Sequence, residues 1–138
     1  VAPATAPDAA ERARDALRGC ARRDAADCLR LGARYAFGEG VARRPILAAV
    51  LYRRACTLGS REGCTALGWA RLHGEGVPRD ALAARRLFER ACEAGDGLAC
   101  AHLAVMYRDG VTVAPDRQAA AALAARACGL GWDEACGE

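Results

Sequence analysis

Apolar positions along the chain recur at helical spacing. Cys28, Leu31, Gly32 and Tyr35 stand at i, i+3, i+4 and i+7, one face of an amphipathic helix. The segment Gly38-Glu39-Gly40-Val41 then interrupts the pattern, because paired glycines open the backbone at little steric cost. A second helical stretch follows. In its middle copy Pro78-Arg79-Asp80 opens the helix, and Leu82, Ala83, Leu87 and Ala91 form the expected apolar stripe. The stretch stops near Cys92, with Gly95 as the stop signal. The next copy opens at Pro115-Asp116 and ends near Gly129 and Gly131. No β-branched run with period two occurs, so the predicted fold class is all-α.

The whole pattern repeats every 36 residues without slippage. Leu31, Leu67 and Leu103 share one column, Gly32, Gly68 and Ala104 the next, and Tyr35, Arg71 and Tyr107 another. Ala55-Cys56 returns as Ala91-Cys92 and Ala127-Cys128. Gly38-Glu39-Gly40-Val41 returns as Gly74-Glu75-Gly76-Val77, with Gly110-Val111-Thr112-Val113 as a third copy. A period of this length belongs to solenoids of helix pairs, in which each unit buries its apolar face against its neighbours. The predicted organisation is one solenoid over 8–138, with units at about 24–59, 60–95 and 96–131 and partial units at both ends. The column of Gly or Ala beside the leucines is expected to let paired helices approach closely. Before the solenoid, Val1-Ala2-Pro3-Ala4-Thr5-Ala6-Pro7 reads as a disordered Pro/Ala tail left by processing or trimming. The chain is compatible with being a stretch of a longer solenoid.

Composition narrows the chemistry. Alanine supplies 35 of 138 residues and aromatics only 5%, so the core must be thin and close-packed. The net charge of +3 is too small to argue for nucleic acid. No apolar run approaches the roughly 18 residues of a membrane span. Every basic side chain is Arg; Lys and Asn are absent and Ser60 is the one serine. A P-loop lysine, a Ser-x-x-Lys pair and a Schiff-base lysine are therefore excluded.

The segment Leu67-Gly68, Gly74-Glu75-Gly76-Val77, Arg79-Asp80 and an Ala-rich helix ending in Ala91-Cys92 resembles the Sel-one-like repeat, a relative of the tetratricopeptide repeat. The added cysteine pairs resemble its disulfide-rich bacterial branch, the Helicobacter cysteine-rich proteins. The resemblance covers nearly the whole chain. It implies a right-handed α/α solenoid that acts as an interaction scaffold. The same branch has been associated with penicillin binding and β-lactamase activity, which makes such a hydrolase the alternative. The residues lend that alternative no chemistry, since a serine β-lactamase needs a Ser and a Lys in fixed relation.

The eight cysteines are Cys20, Cys28, Cys56, Cys64, Cys92, Cys100, Cys128 and Cys136. They allow 105 pairings. On a continuous helix, residues eight apart would be about 12 Å apart, beyond reach of a disulfide. Each pair, however, straddles a helix end, and Gly59, Gly95, and Gly129 with Gly131 mark turns that would fold the second cysteine beside the first. That favours Cys20–Cys28, Cys56–Cys64, Cys92–Cys100 and Cys128–Cys136. The first pair has no glycine between its members, where Arg22-Arg23-Asp24 stand instead. Metal binding is the competing reading, but zinc ligands stand two to four residues apart, not seven. Disulfides imply an oxidising compartment, here the bacterial periplasm or the exterior.

No catalytic set is legible. His73 and His102 are the two histidines, and neither has a recognisable ligand set or carboxylate cluster beside it in sequence. Ser60 follows Gly59 in a turn and reads as a helix N-cap. Nothing points to a metal or a cofactor. The doublets Arg22-Arg23, Arg43-Arg44, Arg53-Arg54 and Arg85-Arg86 read as solvated helix faces, with a weak anion-binding patch as the alternative.

Helical solenoids usually bind on their concave side. The tetratricopeptide relation implies that the first helix of each unit lines it. The candidate partner-binding residues are Leu29, Ala33, Ala36 and Phe37, then Thr65, Trp69, Leu72 and His73, then Ala101, Val105, Arg108 and Asp109. Trp69 stands in a column with Ala33 and Val105, so the repeat does not demand a ring there. It is either an exposed anchor for a protein or peptide segment or a ring that fills the inner curve against Leu29 or Phe37. Trp132 is expected to cap the end of the stack. The predicted function is an exported scaffold that binds a protein or peptide segment.

Overall fold

Seven α-helices of thirteen residues follow one another: α1 Ala9–Ala21, α2 Ala25–Phe37, α3 Pro45–Thr57, α4 Arg61–His73, α5 Ala81–Glu93, α6 Gly97–Asp109 and α7 Arg117–Gly129, with a short 3-10 turn at Asp133–Ala135. This is a computed structural model describing residues 8–137; the stretch 1–7, read above as a tail, lies outside the described residues. Among the described residues there is no strand, and each helix packs on the next in sequence. The result is an α/α solenoid in which α2, α4 and α6 open the units and α3, α5 and α7 close them.

Local chemistry sets the helix ends. Asp8, Asp24, Ser60, Asp80 and Asp116 each accept a backbone N–H three residues on, and Pro45 starts α3 without a side-chain cap. Gly38, Gly74 and Gly110 end the opening helices in the left-handed conformation, each donating its N–H to the carbonyl four residues back. The loops that follow close alike: the Arg44, Asp80 and Asp116 N–H groups donate to the Tyr35, Arg71 and Tyr107 carbonyls at 2.8, 2.8 and 2.9 Å.

Two positions break the glycine columns. The turn glycines Gly59, Gly95 and Gly131 have φ near +100°, and their first-unit counterpart Arg23 takes φ 67°. Gly40 and Gly76 have φ 77° and 74°, and their third counterpart Thr112 is held at 64°. Left-handed backbone costs an L-residue about 1–2 kcal/mol, and a β-branched one more. Thr112→Gly is therefore expected to raise stability by about 1 kcal/mol, after the greater flexibility that glycine gives the unfolded chain. Denaturant titration of the two proteins measures it. An unchanged or lowered midpoint at constant slope would show that Thr112 is not strained.

The core is small side chains around a few large ones. Leu31, Leu67 and Leu103 are buried, and Ala55, Ala91 and Ala127 are fully so. The expected stripe of α5 is rotated by about one position. Ala84, Phe88, Ala91 and Cys92 are buried, while Leu82 is 40% exposed and Ala83 and Leu87 are half-buried. Phe88, at 0%, is the largest fully buried side chain. It sits against Gly68, where a Cβ would lie 2.7 Å from the ring. In the first unit Gly32 receives Tyr52 in the same way, at 2.8 Å. The Gly column thus seats an aromatic ring from the closing helix, a more specific task than general close approach. In the third unit the pair becomes Ala104 and Ala124, with no ring to admit.

All four disulfides are the adjacent pairs: Cys20–Cys28, Cys56–Cys64, Cys92–Cys100 and Cys128–Cys136, with Cα atoms 4.5, 4.5, 4.7 and 4.9 Å apart. The first pair closes without a glycine because Arg23 itself adopts the left-handed turn. Arginines add a second tie between closing helices. Arg90 donates to the Cys56 carbonyl at 3.4 Å, and its counterpart Arg126 to the Cys92 carbonyl at 3.1 Å. A cation at each helix C-terminus also suits the helix dipole.

Candidate functional site

The opening helices α2, α4 and α6 carry the candidate partner-binding residues, and α4 is where they gather. Trp69 is 42% exposed, a large ring left half in water by a protein with few rings. His73, one turn on at the end of α4, lies with its ring centroid 4.0 Å away. From α6, His102 approaches Trp69 at 5.1 Å and the buried Phe88 also at 5.1 Å. His102 therefore bridges the core ring and the surface ring. The two histidines, 29 positions apart in sequence, meet at one tryptophan. Phe37 is not among the rings in contact with Trp69; its side chain is 74% exposed on α2.

Electrostatics around His102 favour its neutral form. Burial lowers its pKa, the Asp96 carboxylate pulls it back up, and His73 pushes it down. A neutral imidazole keeps one donor and one acceptor for a polar ligand group.

Thr65 is turned into the fold. It is 4% exposed, and its hydroxyl meets the Asp96 carboxylate while lying 3.1 Å from the Arg61 carbonyl. Asp96 stands at the N-cap of α6 yet makes no side-chain cap bond, its carboxylate being turned to Thr65 instead. Thr65 thus ties α4 to the start of α6 and contributes to the site by fixing that seam.

The remaining candidates spread along the same helices. Leu29 is half-buried against a core cluster that includes Cys28, Leu31, Leu51 and Ala55, and Ala33 and Ala36 are half-buried. Leu72 and Ala101 pack on a second cluster, built around Phe88 with Cys92, Cys100, Leu103 and Met106, and Val105 is 43% exposed. Arg108 Nε donates to Asp109 Oδ1 at 2.9 Å, and this bond holds the Asp109 carboxyl below its ordinary pKa. Between α6 and α7 a cavity of about 500 Å³ is lined by Ala101, Ala104, Val105, Arg108, Ala124 and Trp132, among others. It opens where the earlier units place Tyr52 or Phe88. Trp132 is half-buried against the core at that end.

The arrangement offers contact area, an imidazole favoured in its neutral form and ion pairs. Ser60 is buried; its oxygen accepts the Gly63 N–H at 2.9 Å, a cap bond, and its hydroxyl donates to Glu62 Oε2 at 3.4 Å. No group of three or more His, Cys, Asp or Glu among the described residues could hold a metal ion. No described helix is long and apolar enough to cross a membrane.

Comparison with known proteins agrees with the fold. The Sel1 repeat matches at residues 25–60, 61–96 and 97–132. No curated protein matches the chain. Among solved structures, the chain is similar to c5321, a protective antigen of uropathogenic Escherichia coli strains displaying an SLR fold, with TM-score 0.84 and 26% identity over 93% of this chain and 27% of that one. A Sel1 repeat protein from Oxalobacter formigenes gives TM-score 0.87 and 23% identity over 93% of this chain and 52% of that one. Helicobacter pylori cysteine rich protein B gives TM-score 0.73 and 24% identity over 93% of this chain and 95% of that one. The chain thus spans about a quarter of the first relative's length and about half of the second's. Because three consecutive repeat matches run through every helix from α2 to α7, in step with the 36-residue columns, the chain belongs to the Sel1 repeat family.

Proposed function

We propose that this protein is a non-catalytic scaffold, held in an oxidising compartment such as the bacterial periplasm or the exterior. It binds a protein or peptide segment across the inner face built by α2, α4 and α6. Sel1-repeat proteins generally mediate protein–protein interaction, and the four disulfides call for oxidising surroundings. One observation carries the site: Trp69 is 42% exposed, although the other units do without a ring in its column. Its contacts with His73 and His102 fix its orientation before a partner arrives. A pre-positioned ring loses little entropy on binding, which is why tryptophan is enriched at interface hot spots. Phe37 extends the apolar surface toward the N-terminal end, and Val105 with the neighbouring cavity toward the other. Arg108 supplies polar contact there, and Leu29, Ala33 and Ala101 form the floor.

A partner captured from the exported fraction of a native host provides the probe. Trp69→Ala is expected to weaken its binding by about 2 kcal/mol, the hot-spot scale, with the thermal midpoint within a few degrees of the parent. A stability loss of about 3 kcal/mol or more, the cost of a buried ring, with unchanged affinity for the folded fraction would make Trp69 a packing residue instead.

A further inference from the structure

Away from the α2–α4–α6 face, a recess of about 320 Å³ opens where α3, α4 and α5 meet, and Arg53, Arg71, Arg86 and Arg90 all line it. No acidic side chain joins them in its wall. None of the four makes an ion pair among the described residues, where six other arginines do. Arg90 is partly occupied by the Cys56 carbonyl. Four like charges around one recess repel each other unless a counter-charge enters.

The repeat supplies its own control. At the position of Arg53 the neighbouring units hold Leu17 and Glu89; at Arg71, Tyr35 and Tyr107; at Arg86, Val50 and Ala122. Arginine is shared only at Arg90, whose counterparts are Arg54 and Arg126. The solenoid therefore closes twice without three of these charges, and the junction of the first and second units alone combines them. Arg71 is the most telling, being half-buried in a seam where both neighbours place a tyrosine.

We propose that this recess is a second binding site, which takes an acidic peptide segment carrying several carboxylates. The walls come from the C-terminal part of α3, the middle of α4 and α5. They reach a helix N-terminus only at Ala83 in the first turn of α5, and its N–H already donates to the capping Asp80 Oδ1 at 3.0 Å, so that backbone donor is not open to a phosphate. Guanidinium groups spread over a recess this size match several carboxylates in succession, each able to take a bidentate pair. The patch occupies one junction between units on a chain of net charge +3, too local for the long cationic track that nucleic acid calls for. This site stands independently of the proposed role of Trp69.

Fluorescein-labelled hexaglutamate, followed by anisotropy at low salt, tests it with the intact chain. The probe should bind saturably, hexaglutamine should not, and raising salt from about 50 to 200 mM should weaken binding about fivefold or more. Arg71→Tyr with Arg86→Val installs the residue types of the neighbouring units, and it should weaken binding about tenfold. Arg14→Ala, on α1, should leave binding unchanged. If the double variant loses its helical signal, Arg53→Leu at an exposed position takes its place and should weaken binding about threefold. Four results would overturn the proposal: no saturable binding, equal affinity in the folded variants, displacement of the probe by millimolar inorganic phosphate at constant ionic strength, or tighter binding of a single-stranded oligonucleotide than of hexaglutamate.

Discussion

Reduction of the disulfides is expected to abolish the cooperative thermal transition at physiological temperature. Each bond closes a loop between cysteines eight positions apart. Constraining so short a loop in the unfolded chain contributes about 2–3 kcal/mol. Four bonds together rival the entire 5–15 kcal/mol by which a typical domain is stable. The rest of the core cannot absorb that loss, because it is largely alanine, with Phe88 the largest fully buried side chain. A graded version avoids total unfolding. Replacing Cys92 and Cys100 together by alanine should lower the midpoint by roughly 10 °C, since both sulfurs are buried within the second cluster. Calorimetry of the oxidised, reduced and double-alanine proteins reads both effects. A reduced protein that still melts cooperatively near the oxidised midpoint would show that helix packing alone holds the solenoid.

Phe88→Ala is expected to cost about 3–5 kcal/mol, as for other fully buried rings. The ring supports more than its own volume, because His102 rests on it at 5.1 Å and Trp69 rests on His102. Gly68→Ala should cost about 1–3 kcal/mol by overpacking, since its Cβ would lie 2.7 Å from the ring. The two substitutions should not add. With the ring gone, the extra methyl has room, and the double variant reproduces the Ala104/Ala124 pairing of the third unit. It should therefore be more stable than the sum of the single losses predicts, by about 1 kcal/mol or more. Denaturant titrations of the four proteins give the cycle. Strict additivity would mean that the glycine does not seat the ring.

Much of this architecture was legible in the chain because its signals are local. Helix ends follow from Asp and Ser caps and from glycines with left-handed backbone, each acting within four residues. The disulfide pattern followed from a spacing that straddles a turn, and the repeat register aligned every unit. The first disulfide was the exception, since nothing in Arg22-Arg23-Asp24 announces a turn. The turn is made there by Arg23 itself, at φ 67°.

Which side of α5 faces the core was not legible. In a helix with apolar residues at positions 81–84, 87, 88 and 91, period alone allows the stripe to rotate by one position, and the Leu82–Leu87 face competes with the Ala84–Phe88 face. The choice depends on Gly68, twenty residues earlier, offering room for a ring. The same holds for the candidate sites. Trp69 stood out in sequence as a ring in a column of small residues, and His73 reaches it one turn along α4, but the approach of His102 from α6 is set by how successive units stack. The withdrawal of Thr65 into a bond with Asp96 depends on that packing too. Arg53 and Arg86, from doublets that read as ordinary solvated faces, join Arg71 and Arg90 in a four-charge recess because consecutive helices bring them to one place. Sequence by itself determined the helices, turns, staples and register, each encoded within one unit. Tertiary structure alone decided which side chains share a surface, because that depends on the rotation of each helix against its neighbours, and long-range packing sets that angle.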